Sequence, residues 1–379
     1  VAQRLKTDWI LFITVITMVS FGLLIVYSAS SVMAELKYGS IWYFVKRQAA
    51  WAVVAIFVMM TLKKTDYRKF QSPTVAFTAM GVALALLIFV YLFDGSHHRW
   101  LRFGPLSLQP SELAKPALVV FLAFFVTWRG PAINTKYTLV PAALAVGLII
   151  FWVVIADLGT AVVLGATAAT VFFVAGLKPR YCAISAAVAM VGVLFFIAAA
   201  PYRAARVVKF FDPEFKLVDR IDPAGRVRVY LTKSIATRDT NYQLTQSKIA
   251  VGAGGPTGVG PMGSKQKLLY LPEAHTDFIY AVAAEEMGFV GSIGLLAGFL
   301  VLCWRGLRTT WRMDDDFGRY LALGVTALVV VQAMINISVV LGLMPTKGIP
   351  LPLISSGGSS LLSTLASLGI LMNVSEHVG

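Results

Sequence analysis

The residue best placed for chemistry is Asp277. It lies in Leu271-Pro272-Glu273-Ala274-His275-Thr276-Asp277-Phe278, which closes a polar, glycine-rich stretch and opens onto a strongly apolar run. A carboxylate held where water gives way to an apolar phase loses hydration and gains basicity, which is one route to a general base. The same residues also suit a plain helix start, since proline and acids favour a first turn. Arg99 and Arg102, flanking Trp100, are placed to meet phosphates. Trp100 equally suits an anchor at a membrane interface. Gln109-Pro110-Ser111-Glu112 follows, and a later loop adds Lys347 and the hydroxyls of Ser355 and its neighbours.

Glu112 and Lys115 are three apart and share a helix face. Charges inside an apolar segment rarely persist without a partner or a task. Asp157, in the turn Asp157-Leu158-Gly159-Thr160, is the expected additional partner of Lys115, and the three together read as a packing network as readily as a catalytic one. Glu285 and Glu286 lie two turns beyond Asp277, and one of them is expected to be buried and paired. His97 and His98 with His275 offer nitrogen ligands, but adjacent histidines do not readily aim at one point, so the metal content is left unknown. No serine–histidine pair has a third member and no cysteine cluster exists, which disfavours a nucleophilic triad and structural zinc.

These groups must be positioned by membrane helices. Of 379 residues 58% are hydrophobic and 14% charged, with mean hydropathy +0.75, where a soluble chain carries about a quarter charged residues. Apolar runs fall near 9–29, 45–62, 73–93, 112–128, 138–155, 160–177, 183–200, 277–304, 320–342 and 358–373. The expected fold is therefore an all-α polytopic membrane protein of about ten helices, forming a single transmembrane domain over 1–379. The first run follows Arg4 and Lys6 like a signal peptide but is too long for one, so it is read as a spanning helix.

Short basic loops at 4–6, 63–69, 129–136, 178–180 and 305–312 place one face and both termini in the cytoplasm. Loops 30–44, 94–111, 156–159, 201–276 and 343–357 are then extracytoplasmic. The long loop, about 201–276 between the seventh and eighth helices, carries twelve Lys or Arg. That number is compatible with export because long segments cross largely regardless of charge. Its glycines suggest a nucleotide loop, but no Gly-Lys-Ser/Thr ending exists, and close packing or a re-entrant path is expected instead. The net charge of +14 points to inner loops, anionic lipid or pyrophosphate headgroups, with no nucleic acid implied. Cys182 and Cys303 fall on the cytoplasmic side, which disfavours a structural disulfide.

Taken together the motifs resemble the SEDS family (shape, elongation, division and sporulation) of bacterial membrane glycosyltransferases, across essentially the whole chain. They are Arg99-Trp100, Gln109-Pro110-Ser111-Glu112-Leu113 with Lys115, Asp157-Leu158-Gly159-Thr160, Tyr242-Gln243 with Gln246-Ser247, Leu271 to Phe278, Glu285-Glu286 with Gly288-Phe289, and the closing Pro-rich and Gly-Gly-Ser-Ser loop. Tyr27-Ser28-Ala29-Ser30, Gln266-Lys267 and Pro345-Thr346-Lys347-Gly348 look like the division, FtsW-like, branch more than the elongation branch, RodA. Ala156 stands where a proline is usual, Ser356 where a tyrosine is common, and residues 216–239 are longer and more charged than the family pattern.

The resemblance implies a peptidoglycan glycosyltransferase polymerising lipid II at the outer face of the inner membrane, with undecaprenyl pyrophosphate leaving and Asp277 as the candidate base. It implies Arg99, Trp100, Arg102, Gln109, Ser111, Lys347 and Ser355 as substrate-binding residues, and Glu112, Lys115, Asp157 and Glu285 as a charge network. A divalent cation, Mg or Mn, is a possible cofactor. The implied partners are a class B penicillin-binding transpeptidase and other membrane proteins of the divisome or elongasome. A lipid II flippase would also use a ten-helix bundle with buried charges, and a non-catalytic scaffold for the transpeptidase would dispense with Asp277.

Overall fold

The computed structural model describes residues 6–94, 99–103, 106–232 and 240–378; His97 and His98 lie outside them, as does the side chain of Arg102. Helices α1 (Trp9–Tyr38), α2 (Tyr43–Lys64) and α3 (Pro73–Phe93) lead to a hairpin of β1 (Leu101–Phe103) and β2 (Leu106–Leu108). Helices α4 (Pro110–Arg129), α5 (Lys136–Ala156), α6 (Leu158–Val174) and α7 (Pro179–Ala198) follow. The long loop holds α8 (Pro201–Phe211), α9 (Lys216–Ile221), α10 (Arg226–Thr232) and α11 (Thr240–Ala253). The chain ends with α12 (Ile279–Arg312), α13 (Asp316–Val340) and α14 (Gly358–Glu376).

Among the described residues nine helices are long and apolar enough to cross a membrane, and α6, at 17 residues, is a shorter apolar helix. These ten match the ten apolar runs of the sequence, and the small antiparallel hairpin is an addition to the all-α expectation.

Helices α4, α13 and α14 form the centre, with most of their residues buried, including Leu118, Leu122, Leu321 and Leu365. By contrast α7 has no buried residue although it is apolar beyond its first turn. Such a helix suits lipid as its solvent, not a protein core.

The glycine-rich stretch has a packing role. Helix α12 is broken at Gly288, where φ is 64° and ψ is −160°. The carbonyls freed at the break are satisfied from the glycine-rich turn segment beside it. Val259 N donates to Glu285 O and Gly260 N to Glu286 O, each at 3.0 Å, while Phe289 N donates to Gly255 O at 2.8 Å. Irregular backbone at membrane depth survives only where its polar groups are paired in this way. Glycine is obligatory here, since a Cβ on Gly258 would fall 2.1 Å from Glu286 O and one on Gly288 2.3 Å from Gly258 N. Both also have positive φ, a region L side chains avoid. No nucleotide-binding role is needed for this motif.

Candidate active site

The α3–α4 connection, the α5–α6 turn, the start of α8, the segment before α12 and the α13–α14 loop meet at one end of the bundle. Asp157 organises the meeting. It caps α6, accepting from Gly159 N at 2.8 Å and Thr160 Oγ1 at 3.0 Å. Its other partner is Arg99, whose Nη2 donates to Oδ2 at 2.9 Å. Burial pushes the Asp157 carboxyl up, but Arg99, Lys347 and the cap hydrogen bonds outweigh it and hold it below the usual range. Asp94 sets the direction of Arg99 by accepting the main-chain N–H groups of Arg99 and Trp100 at 2.9 and 3.2 Å. Arg99 also lies 5.9 Å from the centre of the half-exposed Trp100 ring.

The expected pairing of Asp157 with Lys115 is not formed. Lys115 Nζ donates to both oxygens of Glu112 at 2.7 Å and to Gln332 Oε1 at 2.8 Å. Ser363 Oγ donates to Glu112 at 3.1 Å, closing the network among α4, α13 and α14. Gln332 in turn donates to Pro350 O at 2.8 Å, which ties this buried pair to the α13–α14 loop. Spacing along one helix identified Glu112 and Lys115, but it carries no information about which helix stands opposite.

Asp277 is half-buried in the segment ahead of α12. Its carboxylate lies over the Gly348 main chain so closely that a Cβ there would sit 2.7 Å from Oδ2. Loss of hydration pushes the carboxyl up to about 7; Glu273 and Asp157 push the same way, while Arg99 and Arg206 pull it down. The segment is anchored on both sides. Asn336 Nδ2, on α13, donates to Asp277 O at 2.8 Å and to Ile349 O at 2.6 Å. Ser355 Oγ donates to Thr276 O at 2.6 Å and accepts from Leu351 N at 2.8 Å, and Ser356 N donates to His275 O at 3.0 Å.

Lys347 brings an ammonium into the same recess. A Cβ on Gly159 would lie 3.0 Å from Lys347 Cε and 2.5 Å from Ile349, so glycine lets this loop rest on the start of α6. Burial lowers the Lys347 amine to about 8, with Arg203, Arg206 and Arg99 adding to the fall and Asp157 opposing it. Arg203 and Arg206, one turn apart on α8, complete the cationic set. Arg203 Nη2 donates to Val154 O and Ile155 O at 3.0 and 3.1 Å, meeting the open carbonyls where α5 ends.

The site therefore joins Asp277 and Asp157 to Arg99, Arg203, Arg206 and Lys347. Trp100 is at its edge. Gln109 and Ser111 are buried and bonded to each other, Gln109 Nε2 donating to Ser111 Oγ at 2.9 Å. Ser355 is buried with its hydroxyl engaged as both donor and acceptor, which makes it a loop fastener. Glu285 and Glu286 are both buried. Glu285 accepts from Ser264 Oγ and from Lys265 N at 3.0 Å, whereas Glu286 pairs with Lys267 at 3.0 Å. Among the described residues no three His, Cys, Asp or Glu are placed to hold a metal ion. Arg203, Arg206 and Asn336 were not singled out from the sequence. The two arginines were visible only as part of a basic loop, and Asn336 as one amide in an apolar run.

The fold and site define a multi-pass helical membrane protein with a cluster of acids and cations at one end of its bundle. A family model described as cell cycle protein and covering FtsW, RodA and SpoVE matches residues 8–379, and the chain belongs to that family. A Geobacter metallireducens protein named probable peptidoglycan glycosyltransferase FtsW is 36% identical over 98% of this chain and 96% of its own length. Stage V sporulation protein E of Bacillus subtilis is 33% identical, with 99% and 98% covered. Among solved structures, a peptidoglycan synthase complex that coordinates polymerization and crosslinking has a chain matching at TM-score 0.76 and 27% identity, covering 98% of each chain. The rod shape determining protein RodA of Thermus thermophilus matches at TM-score 0.69 and 25% identity, covering 99% of this chain and 98% of its own.

Proposed function

We propose that this protein is a peptidoglycan glycosyltransferase that polymerises lipid II at the extracytoplasmic face of the bacterial inner membrane, with both termini in the cytoplasm. The observation that carries the reading is the placement of the Asp277 carboxyl against the Gly348 main chain, next along the loop from Lys347, in a recess where Arg99 and Arg206 act on it. Asp277 takes the proton from the acceptor sugar's 4-hydroxyl as that oxygen attacks the donor's anomeric carbon. The bond from that carbon to the phosphate oxygen breaks, and undecaprenyl pyrophosphate leaves with the electron pair. The cations neutralise charge growing on the leaving group in a site with little water, where such stabilisation is strongest. A Mg or Mn ion would supply further neutralisation of the pyrophosphate; among the described residues no three carboxylates or histidines are placed to hold one, and Asp277 and Asp157 are the acids of the recess that would contribute to holding it.

The names of the relatives at 36% identity favour the division branch. The match to a chain of a synthase complex supports a transpeptidase partner of the class B penicillin-binding type, within a divisome or elongasome. A flippase would need polar groups free to serve a path through the bilayer, whereas Glu112 and Lys115 are locked to each other, Gln332 and Ser363.

The deciding experiment is glycan-strand formation from purified lipid II with wild type and Asp277→Ala. A general base contributes about 10²–10⁴-fold, so the folded variant should lose at least that much polymer. Equal polymer from both proteins would remove Asp277 from the mechanism. No polymer from wild type with its transpeptidase and a divalent ion present would remove the polymerase reading.

A further inference from the structure

The opposite end of the bundle carries a second polar cavity, of about 100 Å³, lined by Asp8, Arg305, Arg308, Thr309, Arg312 and Ser375 together with Val378. That volume is several times what one water needs. Arg305, Arg308 and Arg312 follow each other at helical spacing along the last turns of α12, so they share a face. Asp8 accepts from Arg305 Nε at 2.9 Å and Nη2 at 2.7 Å, so the one lining carboxylate is already paired. Among the described residues Arg308 and Arg312 have no ion-pair partner. Neighbouring acids are committed elsewhere: Glu376 to Lys63 at 2.6 Å, Asp315 to Gly318 N at 2.8 Å, and Asp316 to Arg319 at 3.2 Å. Asp314 is exposed and does not line the cavity.

The depth of the cavity is marked by tryptophans. Trp304 and Trp311 on the same stretch of α12 are 54% and 83% exposed, and Trp9 at the start of α1 is 64% exposed. Exposed tryptophans at helix ends sit at the headgroup level of a bilayer. Two guanidiniums that have no ion-pair partner among the described residues, set in a polar recess at that level, have the chemistry of a phosphate receptor, and basic pockets between membrane helices bind anionic lipid headgroups.

We propose that this cavity binds the phosphate of an anionic phospholipid headgroup in the leaflet remote from Asp277, through Arg308 and Arg312. The inference rests on the membrane reading of the fold and is independent of the reaction at Asp277. Occupation bridges the ends of α1, α12 and α14, and so stabilises the bundle.

The test is thermal unfolding of the full chain in dodecyl maltoside micelles. Phosphatidylglycerol, phosphatidylcholine or inorganic phosphate is added to wild type and to the double variant R308Q/R312Q. Phosphatidylglycerol should raise the wild-type midpoint by about 3–6 °C at saturation, phosphatidylcholine should not, and the double variant should lose most of the rise. If inorganic phosphate gives the full rise in wild type and none in the variant, the phosphate site stands with a soluble ion as its source. Equal stabilisation of wild type and variant by phosphatidylglycerol would overturn the proposal, as would equal stabilisation of wild type by phosphatidylcholine. Should the double variant not fold, Arg312→Gln alone is read in the same way, since Arg312 is the more exposed of the two.

Discussion

The side-chain amide of Asn336 donates to the main-chain carbonyl of Asp277 at 2.8 Å, and the same nitrogen reaches Ile349 O at 2.6 Å. One residue on α13 thus fixes the spacing between the segment bearing the acid and the loop bearing Lys347. Asn336→Leu keeps the bulk and removes both donors. Each buried carbonyl left unpaired costs about 1–3 kcal/mol, so the melting point should fall. Misplacing a catalytic group by 1 Å can cost about 10²-fold, so kcat should fall much further than KM rises. Steady-state kinetics on lipid II, with thermal unfolding as the companion measurement, checks both.

Rate should depend on pH in a bell. Asp277 acts as a base only when ionised, so with its carboxyl near 7 the rising limb is centred there. Lys347 neutralises the leaving group only when protonated, so the rate declines as pH passes about 8. Arg99 pulls the Asp277 carboxyl down and Glu273 pushes it up. Arg99→Gln should therefore move the rising limb to higher pH and Glu273→Gln to lower pH. A profile of kcat/KM for the three proteins decides; limbs that stay in place under both changes would dissociate the rising limb from Asp277.

Asp157→Ala removes a helix cap and the partner of Arg99 together. Loss of the cap alone costs about 1 kcal/mol. Because the folded carboxyl is held below its ordinary value, its stabilising contribution is complete above the normal carboxylate range. That contribution is lost as pH falls through the depressed value. The stability gap between wild type and Asp157→Ala should therefore be widest at neutral pH and narrow under acid. Urea or thermal unfolding at pH 7 and pH 3 measures it.

Gly258→Ala and Gly288→Ala should both abolish folded protein, since either methyl group strikes main-chain atoms within 2.3 Å. Gly252→Ala is the control. That glycine is in α11 with open space around it, and alanine should be neutral or stabilise by about 1 kcal/mol. Size-exclusion profiles of the three detergent-solubilised proteins separate the cases.

All ten apolar helices were legible in the sequence because hydropathy alone dictates where a chain can cross lipid. Asp277 was legible because its motif joins a polar stretch to an apolar run. The partnership of Asp157 was not, since Arg99 and Lys115 are both cations within reach along the chain and only the tertiary arrangement chooses between them. Arg203 and Arg206 were hidden in a basic loop whose charge count gave no hint that α8 would turn one face toward the recess. Ser355 was misleading in the other direction, because a serine beside glycines reads as available until its hydroxyl is seen bonded on both sides.

The Glu112–Lys115 pair has a bearing on how the chain enters the membrane. Both partners stand on one helix, three residues apart, so their contact forms as soon as that turn coils. Gln332, the other ligand of Lys115, is made 217 residues later. During synthesis this turn of α4 can therefore leave the translocon with its two charges cancelling each other before Gln332 and Ser363, on α13 and α14, have been translated. Separating those charges onto different helices would preserve the finished network on paper and yet expose a lone ion to lipid at the step when the protein is least able to shield it.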